Sequence, residues 1–128
     1  MHTDSNGKIM GGSGGHSDTA AGAKLAMIIA PLSRARLPIV KDRVFCVSTP
    51  GRTIDVLVTQ KGVAVNPARK ELAERLKDAG IKVADIHDLK AEAEKLCGVP
   101  AALEKGEREV AEVIYRDGNK IDSIYQVK

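Results

Sequence analysis

The stretch MGGSGGHSDTAAGAKLAMIIA, Met10–Ala30, decides how the chain reads. Five of its first six residues are glycine or serine, and His16 and Asp18 then stand two apart. A flexible Gly/Ser linker need lead to nothing in particular. This one runs straight into a helix start and an apolar run. Ser17 and Asp18 can cap a short helix over Thr19–Gly22, and Ala23–Ala30 reads as a buried strand.

Glycines at a loop-to-helix junction let backbone N–H groups approach a ligand, and a helix N-terminus favours negative charge. That suits a phosphate, a carboxylate or a developing oxyanion. The spacing is neither that of a P-loop nor a clean dinucleotide fingerprint. Composition alone leaves linker and ligand-holding loop equally open.

Outward from this stretch, strands and helices alternate. Thr3–Ile9 carries Asn6-Gly7, a type I′ hairpin signal. Its first arm, Met1–Asp4, is too short for a full strand, so the chain is expected to begin inside an element. Pro31 and SRAR end the first apolar run. Arg43–Thr49 (RVFCVST) is the next predicted strand, closed by Pro50-Gly51 as a type II turn. Ile54–Thr59 is another strand, with Gln60-Lys61-Gly62 as its turn and a short extended VAV after it.

Asn66 and Pro67 stand in the order of N-cap and first helical residue. In the following helix the apolar Leu72, Ala73, Leu76 and Ala79 fall on one face, and Gly80 is its stop. IKVADI reads as a strand running into an N-cap at Asp85. Ile86–Cys97 is a second helix, with Ile86, Leu89, Ala93, Leu96 and Cys97 on one face and Gly98 at its end. A hairpin with Asp117-Gly118 at its tip closes the chain, with Tyr115, Tyr125, Val113, Ile121 and Val127 expected on one face.

The 128 residues are the size of one domain, and 43% are apolar, enough for a core. One Phe, two Tyr and no Trp leave an aliphatic core suited to α/β architecture. The expected organisation is a single domain, 1–128. It divides into the glycine loop and core strands (1–66), two helices with a strand between them (67–98) and the hairpin (99–128).

The net charge of +3 is uneven: residues 1–66 carry +4 and residues 67–128 carry −1. The basic excess shares a half with the glycines. That favours a small anionic ligand over nucleic acid, which needs a denser basic stripe. Arg34, Arg36, Lys41 and Arg43 could meet such an anion, although a loop cluster of this kind reads first as solvated surface.

Cys46 and Cys97 lack any partner at metal-ligand spacing and read as buried free thiols. No secretory h-region and no membrane-length apolar run is present, so a cytoplasmic protein without metal or membrane contact is expected.

Two separated motifs now carry a resemblance. Gly14-Gly15-His16-Ser17-Asp18-Thr19 is followed by Val58-Thr59-Gln60-Lys61-Gly62-Val63-Ala64 and then by VNPAR. The family I CoA transferases carry G-G-Q-x-D-F and V-T-E-x-G-I-A at these places. His16 for Gln and Thr19 for Phe resemble the citrate lyase alpha subunit branch.

The resemblance spans nearly the whole chain and implies a CoA-transferase-like α/β fold. The expected sheet is mostly parallel, flanked by helices, with the C-terminal β-hairpin. It implies transfer of an acyl carrier from acetate to citrate, through a glutamate that forms an anhydride and then a thioester. No cofactor would be covalently bound; a phosphoribosyl-dephospho-CoA arm would arrive on the acyl carrier. Implied partners are the beta and gamma subunits, citrate and acetate, in an oligomer.

The family's glutamate precedes the glycine loop, whereas the first Glu here is Glu71. A C-terminal portion of the subunit, inactive alone, is therefore expected. A non-catalytic assembly or CoA-binding remnant, or part of another acyl-CoA transferase or thioester hydrolase, are the alternatives. Candidate substrate- or CoA-binding residues are Gly12, Gly14, Gly15, His16, Asp18, Gln60, Gly62 and Asn66, with Gly14, Gly15 and His16 supporting an oxyanion. Asp18 and Asn66 double as helix caps. His16 could donate to a carboxylate or merely orient the loop. His87 reads as surface.

Overall fold

The computed structural model describes residues 2–3, 8–12 and 14–128. In chain order its elements are β1 (His2–Thr3), β2 (Ile9–Met10), α1 (His16–Gly22), β3 (Met27–Ile29), β4 (Ser33–Arg34) and β5 (Leu37–Pro38). A 3₁₀ turn, Gly51–Thr53, precedes β6 (Val56–Thr59), β7 (Gly62–Val65), α2 (Lys70–Asp78), α3 (Ile86–Cys97), β8 (Lys105–Ile114) and β9 (Lys120–Val127). The chain divides into two compact units, neither continuous in sequence. One comprises Met1–Ala23, Arg43–Thr53 and Ala101–Lys128; the other comprises Lys24–Asp42 and Ile54–Pro100.

The second unit is built on a three-stranded sheet of order β3-β6-β7. β3 pairs parallel with β6, and Gln60-Lys61 returns the chain so that β7 pairs antiparallel with β6. Neighbouring residues across these pairs share a face, so Ile28, Leu57 and Ala64 point one way. Ala64, Leu32, Leu89 and Ala93 form the buried core there, with Leu57 and Ala84 against it. Helix α3 supplies Leu89 and Ala93 at helical spacing. The Asp85 carboxylate caps it by accepting from the His87 backbone N–H at 2.7 Å, and Gly98 ends it at φ +77°. Cap, core spacing and stop match the sequence pattern, and His87 is exposed as expected, but Ile86 and Leu96, expected on the packing face, are exposed.

The first unit rests on the β8–β9 hairpin. Its tip is set by Tyr115 N–H donating to Asn119 O at 2.8 Å and by the Asp117 carboxylate accepting from Asn119 N–H at 3.0 Å. Cys46, Val113 and Ile124 form its core, with Phe45, Ala111 and Ile121 alongside. Both cysteines are free; Cys46 is buried, which pushes its thiol up from the ordinary range, and Cys97 is half-buried.

Several expectations are corrected. The mostly parallel sheet is replaced by antiparallel ladders: among the described residues only β3–β6 and one bridge, Val63 to Val83, are parallel. Tight turns at Arg36 and Gln60-Lys61 leave no room for crossover connections. IKVADI contributes only that single bridge at Val83. Arg43–Thr49 is no strand: Val47 N–H bonds to the Asp122 carboxylate at 2.6 Å, a side chain that cannot continue a ladder.

Pro50-Gly51 opens the 3₁₀ turn, with Thr53 N–H donating to Pro50 O at 3.0 Å, in place of a type II turn. The run Ala23–Ala30 forms only the three-residue β3, with Met27 and Ile29 exposed. In the hairpin, bulges pair Ala111 with Ile124 and Val113 with Asp122. Ile124, not Tyr125, therefore shares the face of Val113. Tyr115 and Tyr125 instead lie under Arg52 and Lys105, at 5.6 and 4.9 Å from their ring centres.

The sequence gives no sign of the β4–β5 hairpin, whose two-residue turn puts Ala35 and Arg36 at φ +50° and +63° without a glycine. The β1–β2 pairing is present, while its Asn6-Gly7 turn lies outside the described residues.

Candidate functional site

The glycine stretch is a helix entry. Gly14 takes φ +52°, a left-handed conformation open to glycine at little cost, and Gly15 is the N-cap of α1 at φ −81°. Among the described residues, a side-chain carbon built at Gly12, Gly14 or Gly15 meets nothing within 4 Å, so they leave the backbone here open to approach. Thr19 closes the first turn: its N–H and its hydroxyl both donate to Gly15 O at 3.0 Å, and the hydroxyl also reaches His16 O at 3.1 Å.

The cap assigned to Asp18 is corrected. The glycines turn the chain early enough for α1 to start at His16, which leaves Asp18 inside the first turn with no side-chain cap. Its charge still suits that end of the helix dipole. His16 Nδ1 and the Thr49 hydroxyl share a hydrogen bond of 3.1 Å. This bond joins the loop to the segment before the 3₁₀ turn.

The second motif is the β6–β7 hairpin. The Thr59 hydroxyl donates to Gly62 O at 2.9 Å, and Gln60 Oε1 accepts from Leu32 N–H at 3.0 Å. Gly62 is packed: a side-chain carbon there would stand 3.1 Å from Ala84 Cβ and 3.4 Å from Lys82 O. These two candidates therefore have structural tasks, one tying down the chain before β4 and the other admitting the Lys82–Ala84 segment.

Asn66 is not the cap of α2, which begins four residues later. Its side chain instead accepts from Ala68 N–H at 3.0 Å and donates to Ile54 O at 2.8 Å, fixing a turn across the start of β6. Pro67 sits in that turn, before the helix.

A residue the motifs pass over is Asp55. It is only 4% exposed, accepts from Ala26 N–H at 2.8 Å and pairs with Arg69 Nε at 2.5 Å. The Ala26 N–H and then the Arg69 guanidinium hold its carboxyl below the usual carboxylate range, against the opposing effect of burial. One carboxylate thus ties the entry to β3, the start of β6 and the turn before α2. The signal in the sequence was a lone acid inside the apolar TIDVLVT.

Gly14, Gly15, His16 and Asp18 gather at the start of α1, with Gly12 just before them, in the first unit. Gln60, Gly62 and Asn66 lie along β6–β7 in the second. Among the described residues no cluster of His, Cys, Asp or Glu could hold a metal ion. No described helix is long and apolar enough to cross a membrane.

The class these features define is a mixed α/β protein with an open glycine turn leading into a helix and a separate, packed strand-turn-strand motif. The family model for "Citrate lyase, alpha subunit (CitF)" matches residues 1–127, and the chain belongs to that family.

Citrate lyase alpha chains from Klebsiella pneumoniae and Escherichia coli K12 are 54% and 52% identical to it over 126 residues. That match covers 98% of this chain and 25% of each relative, so the chain spans about a quarter of their length. A crystal structure assigned to the alpha subunit of citrate lyase from Streptococcus mutans, in complex with citrate, superposes with a TM-score of 0.89. It is 43% identical, over 99% of this chain and 25% of that one.

Proposed function

We propose that this chain is the part of a citrate lyase alpha subunit that supplies the glycine loop of the transferase site. In the complete subunit the reaction moves the acyl carrier from acetate to citrate, giving citryl carrier and free acetate. The observation that supports this reading is the open backbone at Gly14 and Gly15, within a sequence about half identical to citrate lyase alpha chains.

The chemistry follows from resemblance to the family I CoA transferases. A glutamate carboxylate attacks the acetyl thioester carbonyl, the carrier thiolate leaves, and an anhydride forms. The thiolate then attacks the glutamyl carbonyl, acetate departs, and a glutamyl thioester remains. Citrate enters by the reverse sequence. Splitting the exchange in this way replaces one difficult step by easier ones.

Each addition places negative charge on a carbonyl oxygen, and the N–H groups of the Gly14-Gly15 turn are suited to meet it. His16 has a complementary role. In the tautomer in which Nδ1 accepts from the Thr49 hydroxyl, the Nε2–H is left to donate to a citrate carboxylate. The attacking glutamate is not offered by this chain ahead of the loop. The CoA-like arm belongs to the acyl carrier partner, and a beta subunit cleaves the citryl product.

The test is a transferase assay with acetyl carrier and citrate. The purified chain alone is expected to give no turnover. The chain combined with the rest of an alpha subunit should produce citryl carrier, and His16→Ala should raise KM for citrate more than it lowers kcat. Turnover by the chain alone, or a reconstituted enzyme that accepts acetate or succinate in place of citrate equally well, would overturn the reading.

A further inference from the structure

His16 is held from two sides. Its carbonyl accepts from the Thr19 hydroxyl at 3.1 Å, inside the first turn of α1, which fixes the backbone that carries the ring. Its Nδ1 meets the Thr49 hydroxyl at 3.1 Å, 33 residues along the chain. Both residues belong to the first unit, and α1 lies against the 3₁₀ turn that follows Thr49. The residue is exposed, and Nε2 has no hydrogen-bond partner among the described residues.

Thr49 does not sit on a loose segment. Before it, Cys46 lies in the core with Val113 and Ile124, and Val47 N–H donates to the Asp122 carboxylate at 2.6 Å. After it, Pro50 is buried. The Pro50 carbonyl accepts from the Thr53 N–H at 3.0 Å and from the Thr53 hydroxyl at 2.7 Å. The backbone at Thr49 is thus tied on both flanks. A β-branched side chain adds stiffness at χ1, which holds the hydroxyl where the backbone aims it.

Chemistry links the two ring nitrogens. In a neutral imidazole one nitrogen donates and the other accepts. A carboxylate only accepts, so the ring serves one from Nε2 only while Nδ1 is the accepting nitrogen. A hydroxyl has one donor and two acceptor sites, so by itself it can face either tautomer. With a carboxylate at Nε2, one arrangement matches every donor to an acceptor: Thr49 O–H to Nδ1, and Nε2–H to the anion.

We propose that Thr49 is a positioning residue: its hydroxyl donates to His16 Nδ1 and holds the ring with Nε2–H outward, as a donor to a carboxylate. Its use on citrate rests on the proposed function; its effect on the ring does not. Thr49 stands outside both sequence motifs, just before Pro50-Gly51.

The test has two readouts. Long-range proton–nitrogen NMR spectra of the labelled chain report which ring nitrogen carries the proton, at about pH 8, where an ordinary imidazole is neutral. The wild type and Thr49→Ser should show His16 protonated at Nε2. Thr49→Val keeps the shape, removes the hydroxyl and should show a mixture of tautomers. The second readout is transfer by an alpha subunit reconstituted from this chain and the remaining polypeptide. There Thr49→Val should raise KM for citrate about two- to tenfold, the net worth of one hydrogen bond, and change kcat by less than about twofold. Thr49→Ser should bring KM back to within about twofold of the wild type. Adding Thr49→Val to His16→Ala should raise KM no further, because the hydroxyl acts only through the ring. Thermal melts check the fold, and Thr49→Ala gives the same comparison should the valine variant melt early.

A wild-type His16 protonated at Nδ1, a tautomer unmoved by Thr49→Val, or full additivity of Thr49→Val and His16→Ala would overturn the proposal. If the tautomer depends on Thr49 while neither His16→Ala nor Thr49→Val alters KM for citrate, Thr49 positions the ring, and the assignment of citrate to His16 is what fails.

Discussion

Gly15 and Gly62 stand in the two motifs that mark the family, and their surroundings are opposite. Around Gly15 a side-chain carbon would meet nothing within 4 Å; at Gly62 it would press on Ala84 Cβ at 3.1 Å. Among the described residues nothing fills the space beside the first glycine, whereas the second gives its space to a neighbouring segment. Backbone left open is available to a ligand. Backbone that is filled serves the fold. On the proposed function the two motifs divide the work, and substitutions at each should separate stability from transfer.

The largest effect is expected at the filled position. Gly62→Val puts branched carbons where 3.1 Å remains and adds strain at φ +157°. Overpacking of this kind destabilises by about 3 kcal/mol. Urea denaturation should show the midpoint falling with little change in slope. A midpoint within error of the wild type would mean that the Lys82–Ala84 segment gives way freely, and the contrast with Gly15 would collapse.

Asp55 extends the comparison, because it anchors the packed motif as the exposed His16–Thr49 bond anchors the open one. Asp55→Ala leaves the Ala26 N–H without its acceptor and should cost about 2 kcal/mol. The pH dependence gives a second check. The folded carboxyl sits below its unfolded value, so its contribution is full above about pH 4 and is lost as pH falls through the folded pKa. Asp55→Asn should therefore flatten the acid limb of a stability–pH curve below that pH and leave the neutral plateau merely lower. An unchanged acid limb would show that the charge of Asp55 contributes nothing to holding β3, β6 and the Asn66 turn.

At the open position the expected effect moves from stability to activity. Gly15→Ala has an ordinary φ and free space, so the melt should shift by less than about 0.5 kcal/mol. In a reconstituted alpha subunit, an added methyl beside the oxyanion donors should lower kcat by about tenfold, equal to about 1.4 kcal/mol of barrier. A variant that unfolds, or that transfers at the wild-type rate, would remove the distinction between the two glycines.

How much of this could be read from the sequence depended on whether a local pattern named its own partner. The bounds of α3 were legible, since Asp85, the Leu89–Ala93 spacing and Gly98 specify cap, core contact and stop within the helix itself, whereas Ile86 and Leu96 of the same expected face stay exposed. The β8–β9 tip was legible for the same reason. Its face was not, because bulges alter the register without any signal in the alternation. RVFCVST has the composition of a strand, but Val47 finds a side-chain acceptor 75 residues away. Asp18 and Asn66 were read as caps because both types cap helices, yet the glycine turn and the Asx turn shifted the helix starts past them. At the candidate site the motifs could not tell open glycine from packed glycine. That depends on Ala84 and Lys82, which lie far along the chain.

The smallest effect concerns a third case, a backbone that has a glycine conformation without the glycine. Ala35 and Arg36 both take left-handed φ in the β4–β5 turn, where Asn-Gly would be relaxed. Arg36→Gly should relieve that strain and raise stability by about 0.5–1 kcal/mol after the entropy of the freer unfolded chain is counted. The turn follows Leu32, which Gln60 of the second motif holds, so the strained hairpin is fixed to the packed half of the comparison. If Arg36→Gly is more stable and the reconstituted enzyme keeps its KM for the acetyl carrier, Arg36 is only an unfavourable turn residue. If stability rises while that KM rises several-fold, the strain is retained to present the Arg36 side chain. The anion-binding reading of the Arg34–Arg36 tip would then replace that of a solvated surface.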